Sequence, residues 1–315
     1  MKSNLEAINK QGVSIVIPCY NSELTLGSVL TDLGSEFRNS RITRYEIILV
    51  IDCPKDNTLR VALAQQKENS KIRILVLNKN FGQHAAIFAG LDQAKFNFIV
   101  TMDDDGQHLP SNVQSLLVPL CGDIDVVYGV PRVEEHSHVR NFFSRTAKYV
   151  TFKLLKIENA RDISAFRAFK KIAIEGIEFR SLTSAVVDVV LNWNTNRFLA
   201  VQVDMAKRIA GKSNYTYYKL FKFALQMIIG YSIRPLRIAT IVGLTIFFIS
   251  SLVSVGLIIR SVRGEIVVPG YFSLSLFVLF LGSIQLITLG LIGEYLGKIH
   301  EHSMGKPLYL IKEVY

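Results

Sequence analysis

The chain has 315 residues, half of them hydrophobic, a mean hydropathy of +0.29 and a formal net charge of +10 at neutral pH. That is enough for one sizeable domain plus a membrane part. A basic balance admits nucleic acid, anionic lipid or a phosphorylated substrate as partner, but the chain carries no compact nucleic-acid-binding motif of the usual kinds, so no nucleic-acid partner is expected.

The opening stretch, MKSNLEAINKQG, has no apolar core and does not read as a secretory signal. From Val13 onward strand-like and helix-like segments alternate. Val13–Pro18 is a nearly continuous apolar run, which predicts a strand buried on both faces. Tyr45–Ile51, Ile72–Leu77, Phe98–Met102 and Val126–Val130 repeat the signal, with helical stretches predicted at Leu24–Phe37, Thr58–Glu68, Ala85–Ala94 and Ser111–Leu120. Strand, helix and strand in regular succession imply a mostly parallel sheet with helices on both faces. Ligands of such sheets bind beyond the carboxyl ends of the strands. The three cysteines, Cys19, Cys53 and Cys121, form no CxxC pair and read as reduced structural thiols of a cytosolic domain.

Polar and acidic residues gather at those strand ends: Pro18 to Glu23 after the first strand, Asp52 to Asn57 after the second, Asn78 to His84 after the third and Asp103 to His108 after the fourth. Strand ends and helix caps favour Asp, Asn, Gly and Ser for structural reasons alone, so one such loop is as readily a cap as a site; four together are not. Asp103-Asp104-Asp105 is the sharpest of them. In extended chain, residues two apart point the same way, so Asp103 and Asp105 can face one ligand. Two carboxylates without His or Cys suit a hard cation held jointly with substrate phosphates, and they do not separate Mg²⁺ from Mn²⁺. An acidic run alone is usually a solvated turn; its place after an apolar strand is what gives this one weight.

Beyond about residue 210 apolar residues dominate. Tyr215–Tyr231 reads as an amphipathic helix, with Lys219, Lys222 and Gln226 on one face and Tyr218, Phe221, Leu225 and Ile228 on another. It could lie in a bilayer interface or pack on the head. Pro235 breaks helix ahead of two uncharged runs, Ile238–Ile259 and Tyr271–Gly293. Each reaches the roughly 20 residues that cross a bilayer as a helix. Lys219, Lys222, Arg234, Arg237, Lys298, Lys306 and Lys312 flank them, which suits a membrane surface or lipid phosphate. The connector Arg260–Gly270 carries fewer cations than the flanks, so both termini are expected in the cytoplasm. Gly282, Gly290, Gly293 and Gly297 offer surfaces for close helix packing, and Glu294 reads as an interfacial anchor.

Several motifs carry a family resemblance over nearly the whole chain. Ser14–Asn21, Asn80–Gly90, Asp103–Pro110, Arg208–Tyr215 and Gly293–Lys298 resemble, in this order, motifs of the family 2 inverting glycosyltransferases, specifically their polyprenyl-phosphate branch with dolichol-phosphate mannose synthase and the bacterial undecaprenyl-phosphate sugar transferases. The first and third motifs are superfamily-level signals; the last two, together with two spans, are far more specific. The resemblance implies a GT-A-type α/β catalytic domain over residues 1–214, an interfacial helix and linker over 215–236, two transmembrane helices within 237–298 and a cytoplasmic tail over 299–315. It implies a nucleotide-sugar donor, a polyprenyl phosphate acceptor, a divalent metal, an inner-membrane location, a homo-oligomer and a product used in cell-envelope glycan (lipopolysaccharide or O-antigen) modification.

Residue by residue, the resemblance implies that Pro18, Tyr20, Asn21 and Glu23 line the nucleotide pocket, that Asp52 lies on the nucleobase side and that Gln83 lies near the donor. Asp103 and Asp105 would take metal and diphosphate, with Asp104 and Gln107 beside them. Arg208 and Ser213 would meet phosphate, and Arg132 is a phosphate candidate on general grounds. Asp105 counts among the catalytic residues through the metal and diphosphate; Asp162 and Arg167 match the acceptor-side segment, and Asp188 is a rival to Asp162 for the base. For Asp162 or Asp188 an ion pair with Arg161, Arg167 or Arg197 competes with that role. Two departures stand out: the second strand ends Asp52-Cys53-Pro54 where the family commonly has a double Asp, and Leu109-Pro110-Ser111 replaces Pro-Pro-Glu. A processive polysaccharide synthase would need more spans and a QxxRW segment, neither of which is present. A degenerate transferase kept as a scaffold or flippase partner is opposed by the intact Asp103 and Asp105 pair.

Overall fold

The computed structural model describes residues 2–132, 162–182, 185–206, 234–263 and 270–315. The chain forms two compact units, Met1–Thr216 with Gly305–Tyr315, and Tyr217–Met304.

The first unit is organised by β1 (Val13–Cys19), an apolar strand buried at every position. It lies between β2 (Tyr45–Ile51) and β4 (Phe98–Thr101), parallel to both, and β3 (Ile72–Leu77) continues the parallel set beyond β2. Four further partners complete an eight-stranded sheet in the order β7-β5-β6-β4-β1-β2-β3-β8. β5 (Val126–Pro131) and β7 (Phe198–Val203) are parallel to one another, β6 (Arg167–Lys170) runs against β4 and β5, and β8 (Ile311–Val314) runs against β3. The five strands legible in the sequence are present with ends shifted by at most one residue. The three others are new: β6 and β8 are four residues each, and β7 has a largely exposed pattern without clean alternation.

Helices α1 (Lys2–Gln11), α2 (Leu26–Asn39), α3 (Thr58–Glu68), α4 (Gln83–Asp92), α5 (Val113–Leu117) and α6 (Val187–Asn194) accompany the sheet. The alternation of β1 divides the core. Ile15 and Ile17 join Leu26, Leu30, Leu33 and Phe37 of α2 in one apolar cluster, each side chain contributing about 1.5–3 kcal/mol. Val16 faces the other way, against α4. There a β-carbon on Gly90 would stand 2.3 Å from Val16 Cγ1, so only hydrogen fits and the helix lies tight on the sheet. One buried polar group bridges the layers at the amino end of the sheet. Glu46 accepts the Ser14 hydroxyl at 2.7 Å and the Lys95 amide at 2.8 Å, and pairs with Arg73 at 3.2 Å. All three cysteines are free thiols.

The second unit contains two long helices, α7 (Arg234–Val262) and α8 (Tyr271–Ser303), which hold the two uncharged runs. Among the described residues one stretch, Phe280–Ser303, is long and apolar enough to cross a membrane, and Leu236–Ile246 is a shorter apolar helix. The expected interfacial helix over 215–231 lies outside the described residues, as do Arg208 and Ser213. The segment expected as a tail from residue 299 is different: α8 continues to Ser303, and Ile311–Val314 returns to the first unit as β8, because β3 offers an open edge of backbone donors and acceptors.

Candidate active site

The chain runs outward from β1 to β2 and β3, then returns to place β4 on the other side of β1. At such a reversal the loops leaving neighbouring strands diverge and open a crevice at the carboxyl ends. A cavity of ≈ 550 Å³ lies there, lined by Pro18, Tyr20, Asn21, Ser22 and Glu23 after β1, Asp52 and Asp56 after β2, Asn80, Gly82 and Gln83 after β3, and Asp103, Asp104 and Asp105 after β4.

Hydrogen bonds stitch these loops together. Asn21, at φ 55°, accepts the Lys55 amide on its side-chain oxygen at 2.8 Å. Glu23 accepts the Asn57 amide at 3.0 Å at the start of α3, while the Glu23 amide donates to Asp56 at 3.1 Å. The Ser22 amide donates to the Thr58 hydroxyl at 2.7 Å. Asn21 and Glu23 therefore line the cavity and also fasten the first loop to the second. Asp52, expected on the nucleobase side, accepts the Phe81 and Gly82 amides, one on each oxygen, both at 2.8 Å. It shapes the loop between β3 and α4; burial raises its pKa and these two bonds oppose the rise. Tyr20, 43% exposed, lines the cavity.

The acidic loop is anchored on both sides. Gln83, the first residue of α4, donates to Asp103 at 2.6 Å. Asp104 accepts the Ser22 hydroxyl and, at 3.3 Å, the Tyr20 amide. Burial pushes Asp104 up to about 6; the Ser22 bond opposes this and the charge of Asp103 adds to it. Asp105 accepts the Gln107 amide at 3.1 Å, which closes a tight turn. The Asp103 amide donates to His108 Nδ1 at 3.0 Å, and the His108 ring stacks on Phe166 at 4.9 Å. Burial lowers the His108 pKa and favours the neutral ring that this bond requires. The Ala206 amide closes on the Gln107 carbonyl at 3.0 Å, so the acidic loop is tied to the segment after β7.

The other expected residues lie elsewhere. Arg167 and Asp188 are nearly inaccessible and form an ion pair with one another, and the Tyr128 hydroxyl donates to Asp188 at 3.1 Å. A guanidinium buried on β6 needs a carboxylate partner, and α6 supplies it. His84 lies in the field of this pair, and burial pushes it down to about 4, so its ring is neutral. Asp162 is half-buried in the turn leading to β6. Arg132 is exposed and pairs with Asp204 at 3.4 Å. Ser22, Asp56 and His108 lie within the polar strand-end runs of the sequence but were given no individual role there, and Thr58 was missed; the Asp56-Asn57-Thr58 run, a helix-start signal, could have pointed to it.

Among the described residues no group of three or more His, Cys, Asp or Glu side chains could hold a metal by itself. Asp103 and Asp105, hard oxygen donors on one wall of the cavity, fit instead a cation that arrives with a substrate diphosphate.

A mostly parallel sheet with an acidic loop at its switch point is a GT-A-like α/β fold, the class to which many sugar transferases conform. Residues 14–177 match the family described as "Glycosyl transferase family 2", and residues 234–299 match one described as "GtrB C-terminal hairpin". This chain belongs to glycosyl transferase family 2 and is a glycosyltransferase. It is 33% identical to an uncharacterized glycosyltransferase of Synechocystis sp., covering 96% of this chain and 95% of that one. It is 30% identical to the undecaprenyl-phosphate 4-deoxy-4-formamido-L-arabinose transferase of Proteus mirabilis, covering 99% and 96%. With the prophage bactoprenol glucosyl transferase homolog of Escherichia coli it shares 28% identity over 96% of this chain and 99% of that one. Among solved structures it resembles glucosyl-3-phosphoglycerate synthase of Mycobacterium tuberculosis in complex with Mn²⁺, UDP-glucose and phosphoglyceric acid, with a TM-score of 0.54, 18% identity, and coverage of 72% of this chain and 81% of that one. That likeness speaks to the fold.

Proposed function

We propose that this glycosyltransferase moves one sugar from a nucleotide-sugar to the phosphate of a polyprenyl phosphate, undecaprenyl phosphate first among candidates, at the cytoplasmic face of the inner membrane. The observation that carries the reading is the switch-point cavity with Asp103 and Asp105 on its wall, in a chain that aligns over nearly its whole length with transferases whose names specify undecaprenyl phosphate or bactoprenol. The product would serve as a lipid-linked sugar donor for cell-envelope glycan modification.

The acceptor needs little activation. A phosphate monoester has its second pKa near ~6, so its oxygen is largely ionised at neutral pH. That oxygen attacks the anomeric carbon, the bond to the nucleoside diphosphate breaks with its electron pair leaving on the diphosphate, and the configuration inverts. Tyr20 and the loop shaped by Asp52 hold the nucleoside end. Gln83 fixes Asp103, and Ser22 fixes the acidic loop through Asp104. Asp103 and Asp105 would hold Mg²⁺ or Mn²⁺, which when bound supplies charge neutralisation to the departing diphosphate. Asp162 is assigned to orienting the acceptor, and Arg132, Arg208 and Ser213 to its phosphate. The burial of Asp188 against Arg167 favours a structural role for that pair.

α7 and α8 are assigned to a transmembrane hairpin with both termini cytoplasmic. Phe248, Leu252 and Leu286 are among many large apolar side chains left exposed along these helices, and such a surface calls for a lipid or protein cover. A homo-oligomer would cover part of it. The test is an activity screen of the purified chain in detergent with undecaprenyl phosphate, a divalent cation and a panel of nucleotide-sugars, read by mass spectrometry. A lipid-monophosphate-sugar that vanishes with EDTA is expected. Full turnover in EDTA would remove the metal, and no lipid product from any donor would remove the acceptor.

A further inference from the structure

The last strand of the chain sits where the donor loop begins. β8 pairs with β3 through Leu75 with Val314, Val76 with Glu313 and Leu77 with Ile311. At the amino end of β3 the Tyr315 and Ile74 backbones exchange two hydrogen bonds, at 2.9 and 3.0 Å. At its carboxyl end the Asn78 amide donates to the Leu310 carbonyl at 3.0 Å. Asn78 opens the loop that gives its Phe81 and Gly82 amides to Asp52 and then enters α4, where Gln83 reaches Asp103. The segment of β8 therefore holds the first residue of the loop whose last residue reaches the acidic loop. The register of the pair shifts between Val76 and Leu77, immediately before that loop, as at bulges that re-aim a strand beside a site. Tyr309, 2% exposed, roots the segment in the first unit.

The loop needs such a hold. Gly82 sits at φ 90° with open space around it, and glycine has little conformational preference of its own. Without β8, β3 would be the edge of the sheet; edge strands fray, and the amide that starts the loop would have no strand partner.

We propose that β8 is a positioning element for the donor loop Asn78–Gln83, an inference that rests on the donor reading of the cavity given above. Its removal loosens this loop and weakens the donor, while the sheet centre keeps its order.

The test compares the full chain with one ending at Lys306, both in detergent. UDP, GDP and CDP, each with Mg²⁺, serve as probes by calorimetry, and amide hydrogen exchange is followed at Phe81 and Gly82 and in β1. The expected result is exchange at Phe81 and Gly82 faster by about tenfold, a scale set by losing one backbone hydrogen bond, with β1 unchanged. The tightest-binding nucleotide weakens by a similar factor, and the peptide Pro307–Tyr315, added back, restores both readouts. Unchanged exchange at Phe81 and Gly82 overturns the proposal. Faster exchange in β1 to the same degree also overturns it, since β8 would then be a general stabiliser. If the full chain binds none of the nucleotides, the donor reading fails by itself, and the exchange data still decide whether β8 holds the loop.

Discussion

The two ends of the sheet each carry a cavity, and they differ in what their charged groups do. At the carboxyl end, ≈ 550 Å³ is walled by carboxylates of one sign, held by neutral donors such as Gln83, the Ser22 hydroxyl and backbone amides. Burial there lifts Asp104 to about 6, and the charge of Asp103 adds to the rise. At the other end a larger cavity, ≈ 640 Å³, is lined by apolar side chains and by charges of both signs, Lys170 and Lys171 with Asp92 and Glu175. Its lysines are neutralised or capped by the protein: Lys170 by Asp125 at 3.2 Å and the Gly122 carbonyl at 2.8 Å, Lys171 by the Ala94 carbonyl at 2.8 Å. On the function proposed above, one-sign charge held by neutral groups, rather than size, marks the site, because it is chemistry the protein leaves for a ligand to complete.

If this contrast is right, changes at the acidic rim lower activity and changes at the far end lower stability. The largest effect is expected from Asp105→Asn, a fall in kcat/KM of about 10²–10³, the size typical of removing one electrostatic stabiliser, with the thermal midpoint in detergent nearly unmoved. A folded Asp105→Asn chain of full activity would break the comparison at its strongest point. Between the two ends, Arg167→Met should destabilise by about 3–5 kcal/mol by leaving Asp188 charged and buried, and adding Asp188→Leu should recover most of it. Thermal unfolding of the single and double variants checks this, and equal losses in both would show that the pair is not the cause.

Asp104 sharpens the contrast through pH. Its folded pKa of about 6 lies above the ordinary carboxylate value of 3.8, so the folded state binds the proton more tightly than the unfolded state. The stability it contributes is full below the unfolded value and is lost as pH rises through about 6. Asp104→Asn should therefore melt higher than the parent at pH 7.5 and alike at pH 4, with the gap opening between; an unchanged gap across that window would deny the shift. The smallest effect is expected from Lys170→Met: about 1 kcal/mol lost with the Asp125 pair, read by the same melts, and unchanged kcat/KM. A fall in activity there would mean that the far cavity is more than scaffold.

Much of the first unit is written locally. Apolar runs such as Val13–Cys19 and Tyr45–Ile51 are long enough to show as buried strands, and Asp103–Asp105 shows as an acidic loop because an apolar strand precedes it. The site was only partly legible. Asn21, Glu23 and Asp52 face the cavity, but the sequence is silent on the Lys55, Asn57, Phe81 and Gly82 amides that engage them. Arg167 and Asp188, 21 residues apart in sequence, look like two separate site residues until β6 and α6 bring them together. His108 closes the polar run after the fourth strand, but only the structure shows that its ring holds the Asp103 amide.

The sequence alone determined the parallel set β1 to β4, the helices between them, the acidic loop and the two long apolar segments, because periodicity and turn chemistry act over a few residues. The tertiary structure alone decided the mixed edges of the sheet. β6 and β8 are too short for a periodic signal, and β7 lacks one; each is a strand because a neighbouring edge presents backbone groups that must be paired. The same non-local pairing made Arg167 and Asp188 partners and brought Ile311–Val314 beside β3, next to the loop that leads into α4.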